Sequence, residues 1–222
     1  MKKVAIIVAG GSGERMGTSI PKQFLKISGK EIVVYTIEKF LQAVSDLLVI
    51  LVLPKAHFYR WEKIAKKFNL EHVLIAEGGS NRFESVQSGL SLVDSNTIVA
   101  IHDAVRPLVN SLTIQKAFDG VKLTGACIPV MKLNESIREL TNKGSNAVIR
   151  ENFRLVQTPQ CFKSELLKEA YSQPYQSIYT DDASVVENHG IKVSLVEGNV
   201  ENIKITTPID LALAKHLLKV KK

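Results

Sequence analysis

Hydrophobic residues along the chain fall into short continuous runs, and these runs alternate with segments whose apolar positions recur every three or four residues. The continuous runs, typical of strands buried on both faces of a parallel sheet, occupy residues 4–8, 47–53, 72–76 and 97–101. Segments with helical spacing occupy residues 32–44, 58–68 and 83–93. This βαβα alternation predicts an α/β fold with a doubly wound, mostly parallel, Rossmann-like sheet.

Local signals indicate where several helices begin. Ser80 precedes the third amphipathic segment, Asn110 and Ser111 precede a later one, and Thr207 with Pro208 precedes the last. Hydroxyl and amide side chains accept hydrogen bonds from the free N–H groups of a first helical turn, and proline is tolerated there. We therefore expect helices to start at these positions.

The segment after Val130 breaks the alternation. Residues 131–150 contain two partly alternating stretches around the turn signal NKGSN, which predicts a β-hairpin. Since no linker, repeat or low-complexity tract is visible, we expect one domain over residues 1–222, with an inserted β-arm at about 131–155. A two-stranded ribbon is marginal alone, so the arm should pack on the body or on another subunit.

The composition is that of a globular chain. Of the 222 residues, 45% are hydrophobic and 23% are charged, which is enough for a full core. The apolar runs are shorter than the about 20 residues that cross a bilayer, and the first run leads into glycines and not into a cleavage site. Cys127 and Cys161 are too far apart for a CxxC site and are expected to be reduced, packed thiols. We expect a cytoplasmic protein with no membrane partner.

A formal net charge of +7 raises the question of a nucleic-acid partner. The Lys and Arg residues are scattered, and no arginine-rich stripe with interleaved aromatic residues is present, whereas nucleic-acid-binding surfaces usually have such a cluster. The excess fits a small polyanionic ligand at least as well. We expect no nucleic-acid partner.

The first apolar run leads into the glycine loop VAGGSGERMG. A dinucleotide fingerprint would need glycine where Met16 stands and an acidic residue after the second strand, and both are missing. A P-loop would need a lysine between Gly17 and Thr18. Arg15 within the loop and Lys22 after it instead match a chain of phosphates, with backbone N–H groups converging on the oxygens. The alternative is a tight turn beside two solvated cations.

The stretch IHDAVRP ends the fourth apolar run. Asp103 then lies where a parallel strand reaches the binding crevice of an open α/β sheet, and it could hold a divalent cation bound to phosphates. The alternative for Asp103 is a helix cap or a loop hydrogen bond. His102 has no second histidine at ligand spacing and is interpreted as structural.

Seven motifs occur in one order along essentially the whole chain. They are AGGxGxRMG from Ala9, PKQ from Pro21, GGSxRxxSV from Gly78, HDAVRP from His102, TPQ from Thr158, TDDAS from Thr180 and EGxxxNIKIT from Glu197. In this order they resemble the 2-C-methyl-D-erythritol 4-phosphate cytidylyltransferase family. The resemblance implies an enzyme that transfers the cytidylyl group of CTP to methylerythritol phosphate, for isoprenoid precursor synthesis, with Mg²⁺ or another divalent cation.

The resemblance also implies roles for individual residues. Around the CTP triphosphate it places Gly10, Gly11, Ser12 and Gly13. Around cytosine and ribose it places Ala9, Gly79, Ser80 and Ser85. On the reacting phosphates it places Arg15, Lys22 and Lys204. Beside the metal and the sugar phosphate it places Asp103, with Arg106 shaping that site, while Arg150 and Thr180 hold the acceptor.

In this family the β-arm exchanges between subunits, so the resemblance implies a homodimer in which Arg150 serves the partner's site. The sequence departs from the common family pattern early in the arm. Glu135 and Ser136 stand where many relatives have an Asp-Thr pair. Ser136 keeps a hydroxyl and is retained as an expected contact to the acceptor.

Two other functions are compatible with the chain. Ribitol-5-phosphate cytidylyltransferase shares the CTP machinery, although Ala183 and Ser184 after TDD look more like the methylerythritol enzyme. A non-enzymatic nucleotide or nucleic-acid binder would explain the basic charge but not Lys22, Asp103 and Lys204 as parts of one crevice.

Overall fold

The computed structural model describes residues 1–10 and 20–220. The main strands are β1 (Lys2–Val8), β4 (Leu48–Leu53), β5 (Leu74–Glu77), β6 (Thr97–Asp103), β7 (Ala126–Lys132), β10 (Arg154–Val156), β11 (Gln160–Lys163) and β12 (Ser194–Glu197). Two short antiparallel pairs stand apart from them: β2 (Lys26–Ile27) with β3 (Lys30–Glu31), and β8 (Arg138–Thr141) with β9 (Gly144–Ala147). The helices are α1 (Ile32–Ala43), α2 (Phe58–Phe68), α3 (Arg82–Leu90), α4 (Ser111–Thr124), α5 (Ser164–Tyr171), α6 (Asp182–Asn188) and α7 (Pro208–Val220). Within the described ranges, none of these helices is long and apolar enough to cross a membrane.

The main sheet has the strand order β10-β7-β11-β6-β1-β4-β5, and β12 also pairs with β7. The strands β6, β1, β4 and β5 run parallel, and β11 enters antiparallel between β6 and β7. Because the chain leaves β1 toward β4 on one side and later returns to β6 on the other, the strand order reverses between β1 and β6. Open α/β sheets bind ligands outside the carboxyl ends of the strands at such a point.

Alternate residues of the central strands enter two hydrophobic layers. Ile7 and Leu51 pack with α1, α2 and α4 on one face, whereas Ile6 and Val52 pack with α3, α5 and α6 on the other. Both faces are therefore covered, which explains why these strands are continuously apolar. A third, smaller cluster joins Val105 after β6 to Ile205 and to Ala214 of α7.

The predicted α/β class and the mostly parallel sheet are confirmed, and most predicted elements agree within two or three residues with those observed. Ser80 as the cap of the third helix is wrong, because Asn81 accepts the hydrogen bond from the Glu84 N–H at 2.9 Å. The expected start at Asn110 is correct, since its side chain accepts from the Thr113 N–H at 2.7 Å. The antiparallel strand β11 was not predicted.

The segment between β7 and β10 carries the predicted hairpin. Its strands β8 and β9 pair with each other through residues 138–141 and 144–147, and most of their residues are exposed. We keep the name β-arm for residues 131–155.

The two cysteines are packed thiols, as predicted. Cys127 and Cys161 lie opposite each other in β7 and β11 as buried free cysteines.

Candidate active site

The reversal between β1 and β6 places two parts of the predicted site side by side. Val8 at the end of β1 is in register with Asp103 at the end of β6, and the Ala104 N–H donates to the Val8 carbonyl at 3.0 Å. The next residue, Ala9, donates its N–H to the Val52 carbonyl of β4 at 2.8 Å. The chain after β1 and the Asp103 carboxylate therefore share one crevice.

A first cavity opens at this crevice. Eight of the residues singled out in the sequence line it: Ala9, Gly10, Lys22, Gly79, Ser80, Ser85, Asp103 and Lys204. They come from the residues after β1, the short turn of helix at Lys22–Phe24, the start of α3, the end of β6 and the segment before α7, so the fold brings together residues that are far apart in the chain. Gly11, Ser12, Gly13 and Arg15 lie outside the described residues.

The start of α3 shapes one wall of the first cavity. The Ser85 hydroxyl is buried, accepts from the Gly79 N–H at 3.2 Å and donates to the Asn81 carbonyl at 2.8 Å. A Cβ atom on Gly79 would lie 2.3 Å from the Glu84 Cβ. This turn therefore requires glycine, and the backbone forms the cavity wall there.

A second cavity shares Arg82, Asp103 and Lys204 with the first. Arg106 and Thr180, both predicted for the acceptor, line it. Thr158, Gln160 and Asp181 complete its polar wall, although the sequence had not assigned them a role. The two cavities thus meet at one cluster of charged side chains.

Asp103 is the centre of this charged cluster. Its Oδ2 lies 3.0 Å from Lys204 Nζ and 3.2 Å from Arg106 Nε, and its Oδ1 lies 3.7 Å from Arg82 Nε. Burial alone would raise the pKa of this carboxyl group, but the charges of Arg82, Lys204 and Arg106 outweigh burial and hold the pKa well below its usual range. Asp103 is therefore ionised at neutral pH, and it orients three cations at the meeting point of the cavities.

The segment that carries Lys204 is held in place by its neighbours. Asn202 is buried and donates to the Thr158 carbonyl at 2.8 Å, and its own carbonyl accepts from Arg106 Nη1 at 2.7 Å. Ile205 is buried, and its N–H donates to the Val105 carbonyl at 2.9 Å. Lys204 thus projects between two anchored residues.

His102 supports Asp103 from inside the fold, as its structural interpretation predicts. Its Nε2 lies 3.2 Å from the Arg106 carbonyl, which can only accept, so Nε2 carries the proton. Nδ1 accepts from the Thr158 hydroxyl at 2.9 Å, and that hydroxyl accepts from the Asp103 N–H at 3.2 Å. Burial lowers the pKa of His102 to about 3 and keeps the ring neutral.

Arg82 is a residue that the sequence analysis did not assign, although the GGSxRxxSV motif contains it. Its Nη1 and Nη2 donate to the two carboxylate oxygens of Asp182 at 2.8 and 2.7 Å. Burial disfavours the guanidinium charge, but the attraction of Asp182 and Asp103 outweighs burial and raises the pKa of Arg82. The sequence could not show the role of Arg82, because this role depends on an ion pair with Asp182, which is distant in the chain.

Two expected acceptor residues lie elsewhere. Ser136 and Arg150 are exposed on the β-arm and are not among the residues that line the two cavities of this chain. Arg150 Nη1 donates instead to the Asn134 carbonyl at 2.5 Å. The roles of Ser136 and Arg150 stay predictions.

In residues 1–10 and 20–220, no group of three or more His, Cys, Asp and Glu side chains could hold a metal ion.

Comparison with known proteins agrees with this geometry. The family model described as 2-C-methyl-D-erythritol 4-phosphate cytidylyltransferase matches residues 3–220. A protein of that name from Bacteroides thetaiotaomicron is 47% identical over 220 residues, which are 98% of this chain and 100% of the relative. One from Clostridium novyi is 41% identical over 224 residues and covers 98% of this chain and 97% of its own.

Solved structures give the same result. The crystal structure of 2-C-methyl-D-erythritol 4-phosphate cytidylyltransferase from Thermus thermophilus superposes with a TM-score of 0.77 at 30% identity, over 99% of this chain and 100% of that one. That of 4-diphosphocytidyl-2C-methyl-D-erythritol synthase from Anaerococcus prevotii superposes with a TM-score of 0.84 at 26% identity, over 98% and 96%. Since the matches run over nearly the whole chain, this protein belongs to the 2-C-methyl-D-erythritol 4-phosphate cytidylyltransferase family.

Proposed function

We propose that this protein transfers the cytidylyl group of CTP to 2-C-methyl-D-erythritol 4-phosphate, giving 4-diphosphocytidyl-2-C-methyl-D-erythritol and pyrophosphate in the non-mevalonate isoprenoid precursor pathway. The observation that carries the proposal is the convergence of Lys22, Asp103 and Lys204, from three distant parts of the chain, on one cavity at the carboxyl ends of β1 and β6. A nucleotidyl transfer between two polyanions needs such a placement of charge.

The reaction is an in-line displacement at the α-phosphorus of CTP. An oxygen of the acceptor phosphate forms a bond to the α-phosphorus, and the bond from that phosphorus to the bridging oxygen of the β-phosphate breaks, releasing pyrophosphate. A phosphate monoester is already anionic near neutral pH, since its second pKa is about 6, so no strong general base is required. The protein must stabilise charge and hold the reacting groups in line.

We assign the first cavity to CTP. The backbone at Ala9, Gly10 and Gly79 offers close approach without side-chain bulk, while Ser80 and Ser85 lie at the start of α3. The start of α3 would then lie beside cytosine and ribose, as the resemblance implies. In this assignment Lys22 and Lys204 would contact the α-phosphate and the leaving pyrophosphate, and the resemblance implies the same role for Arg15.

We assign the second cavity to the acceptor phosphate and its polyol chain. Arg106 and Lys204 supply positive charge, and the Thr180 hydroxyl supplies a hydrogen-bonding group. The cavities meet at Asp103, so a phosphate in the second cavity would lie next to the α-phosphate in the first. This adjacency supports the assignment.

We further propose that a divalent cation, Mg²⁺ or a close substitute, takes part. Asp103 offers carboxylate oxygens at the crevice, and its Oδ1 has a more distant cation neighbour than its Oδ2. This fits an ion that arrives with the phosphates, because Mg²⁺ commonly binds one or two carboxylates together with phosphate oxygens and waters. When bound, such an ion would neutralise phosphate charge and orient the triphosphate.

The protein is also proposed to work as a homodimer through the β-arm. Large apolar side chains on and beside the arm are exposed, among them Leu140 at 84%, Ile149 at 67% and Leu155 at 56%. An exposed two-stranded ribbon with such residues is stabilised by packing against a second copy. In that dimer, Arg150 and Ser136 would reach the partner's acceptor cavity.

We also propose a cytoplasmic location, which is consistent with two buried free thiols.

Pyrophosphate release tests the function directly. The purified protein with Mg²⁺ should release pyrophosphate from CTP, and far more slowly from ATP, GTP or UTP, when methylerythritol phosphate is the acceptor. Ribitol 5-phosphate is the matched control acceptor. Release with ribitol 5-phosphate alone would contradict the proposal, as would release that is equal with all four nucleotides.

Sedimentation equilibrium tests the dimer. We expect a dimer for the unchanged protein and a monomer for Leu140→Asp, because a charge in an apolar contact between copies disfavours association. An active monomer of the unchanged protein would refute the proposed exchange of Arg150.

A further inference from the structure

Arg82 lies in the wall between the two cavities and is the first residue of α3. It follows the turn that contains Gly79 and Ser80. Its three N–H-bearing nitrogens point to two different carboxylates: both Nη atoms bind Asp182 at 2.8 and 2.7 Å, and Nε lies 3.7 Å from Asp103 Oδ1. One guanidinium group thus connects the start of α3 with the end of β6 and the start of α6.

The carboxylate that Arg82 holds is fixed from a second side. Asp182 is fully buried, and its Oδ1 also accepts from the Tyr171 hydroxyl at 2.6 Å. Asp182 directly follows Asp181, whose side chain caps α6 by accepting from the Ser184 N–H at 2.9 Å. The position of Arg82 and the turn that carries Thr180 are therefore set together.

The neighbouring residue on α3 makes a parallel connection. The Phe83 ring stacks on Tyr171 at 4.6 Å and on Tyr179 at 5.8 Å between ring centroids. Tyr179 immediately precedes Thr180, so Arg82 and Phe83 contact both ends of the segment from Tyr171 to Asp182. These contacts join the start of α3 to both ends of this segment.

We propose that Arg82 is a positioning residue, which holds Asp103 and the Thr180–Asp182 turn in alignment with the nucleotide side of the crevice. This inference rests on the proposed function for the identity of the two ligands. Both Nη atoms are already paired with a buried carboxylate, so Arg82 acts through orientation more than by binding phosphate. A planar guanidinium group can donate two hydrogen bonds to one carboxylate while its Nε faces a second carboxylate. A lysine ammonium group cannot do this.

Arg82→Lys is the decisive variant, because it keeps the positive charge and removes the paired hydrogen bonds of the guanidinium group. The matched control is Gln87→Ala, which cuts another contact of α3, from Gln87 Nε2 to the Tyr171 carbonyl at 2.7 Å, away from both cavities. We expect Arg82→Lys to lower kcat by about 10- to 100-fold, since small misplacements of reacting groups have effects of this order. KM for CTP should stay within about threefold in that case, because the contacts that bind the nucleotide remain. Gln87→Ala should keep kcat, and both variants should have similar Tm values.

Three results would overturn the proposal. A kcat for Arg82→Lys within twofold of the unchanged protein would do so. A raised KM for CTP with unchanged kcat would make Arg82 a nucleotide ligand. A loss of activity that is matched by the loss of folded protein would make it merely structural.

A measurement without turnover separates this inference from the proposed function. Hydrogen exchange of residues 176–184 should slow when CTP and Mg²⁺ bind the unchanged protein, and this protection should be lost in Arg82→Lys although CTP still binds. Protection that persists in Arg82→Lys, or that never appears in the unchanged protein, contradicts the coupling through Arg82. An unchanged protein that shows the coupling but transfers to no acceptor would contradict the proposed function alone.

Discussion

The Nζ of Lys204 lies 3.0 Å from Oδ2 of Asp103, which joins the segment before α7 to the end of β6. The Lys204 side chain is 40% exposed, whereas that of Asp103 is 10% exposed. The carboxylate therefore orients an ammonium group that still faces the open crevice.

Lys204→Ala and Lys22→Ala should fold normally and lose turnover. Both residues line the first cavity, and the loss of one preorganised contact to a charged transition state reduces the rate on the order of 10²-fold. Steady-state pyrophosphate release measures the effect. Lys215→Ala on the exposed side of α7 is the control and should keep full activity. Unchanged turnover in either cavity variant would remove that lysine from the mechanism.

Asp103→Asn should also lower turnover by about 10²-fold, because the three cations around it lose their common partner and the proposed metal loses a ligand. CTP binding measured by calorimetry should be as tight as before or tighter, since an anion leaves a site for polyanions. The Mg²⁺ concentration for half-maximal rate should rise. Asp119→Asn, at an exposed ion pair with Lys122, is the control. An unaltered Mg²⁺ dependence would argue against Asp103 as a metal ligand.

Acid should destabilise the fold through His102. Its pKa is lowered to about 3 in the folded protein, while the unfolded chain binds this proton near pH 6.5. Between these values the unfolded state holds one more proton, so the stabilisation is complete above pH 6.5 and decreases as the pH falls. At pH 5 the free energy of unfolding should be about 2 kcal/mol lower than at pH 7.5 from this group. Urea unfolding at both pH values measures it, and His102→Gln should flatten the dependence. An equally steep dependence in His102→Gln would assign the effect to other groups.

Gly120→Ala should destabilise the protein by about 1–3 kcal/mol through overpacking. A Cβ atom at Gly120 of α4 would lie 2.3 Å from the Cys127 Sγ of β7. Cys127→Ala removes this sulfur, so part of the loss should be recovered when both changes are combined. Chemical denaturation of the two single variants and the double variant gives the coupling energy. Purely additive effects would show that the helix shifts to relieve the contact.

The interior of the fold was largely predictable because its signals are local. Residues buried on both faces of a parallel strand must be apolar, so the runs at β1, β4 and β6 predicted the central sheet and its crevice. The cap of α3 was misplaced by one residue since Ser80 and Asn81 both suit that position. The structure selects Asn81 because Glu84 accepts from both Ser80 N and Oγ, at 2.8 and 2.7 Å.

By itself, the sequence determined the α/β class, the position of Asp103 at the end of a buried strand and the family to which the motifs belong. Only the tertiary structure decided that Arg82 binds Asp182 and that Lys204 and Arg106 share the Asp103 carboxylate. Periodicity, capping and turn preference act over a few residues and are written in the local sequence. Pairing between distant charged side chains depends on strand order and on how the helices pack, and it exists only once the chain has folded.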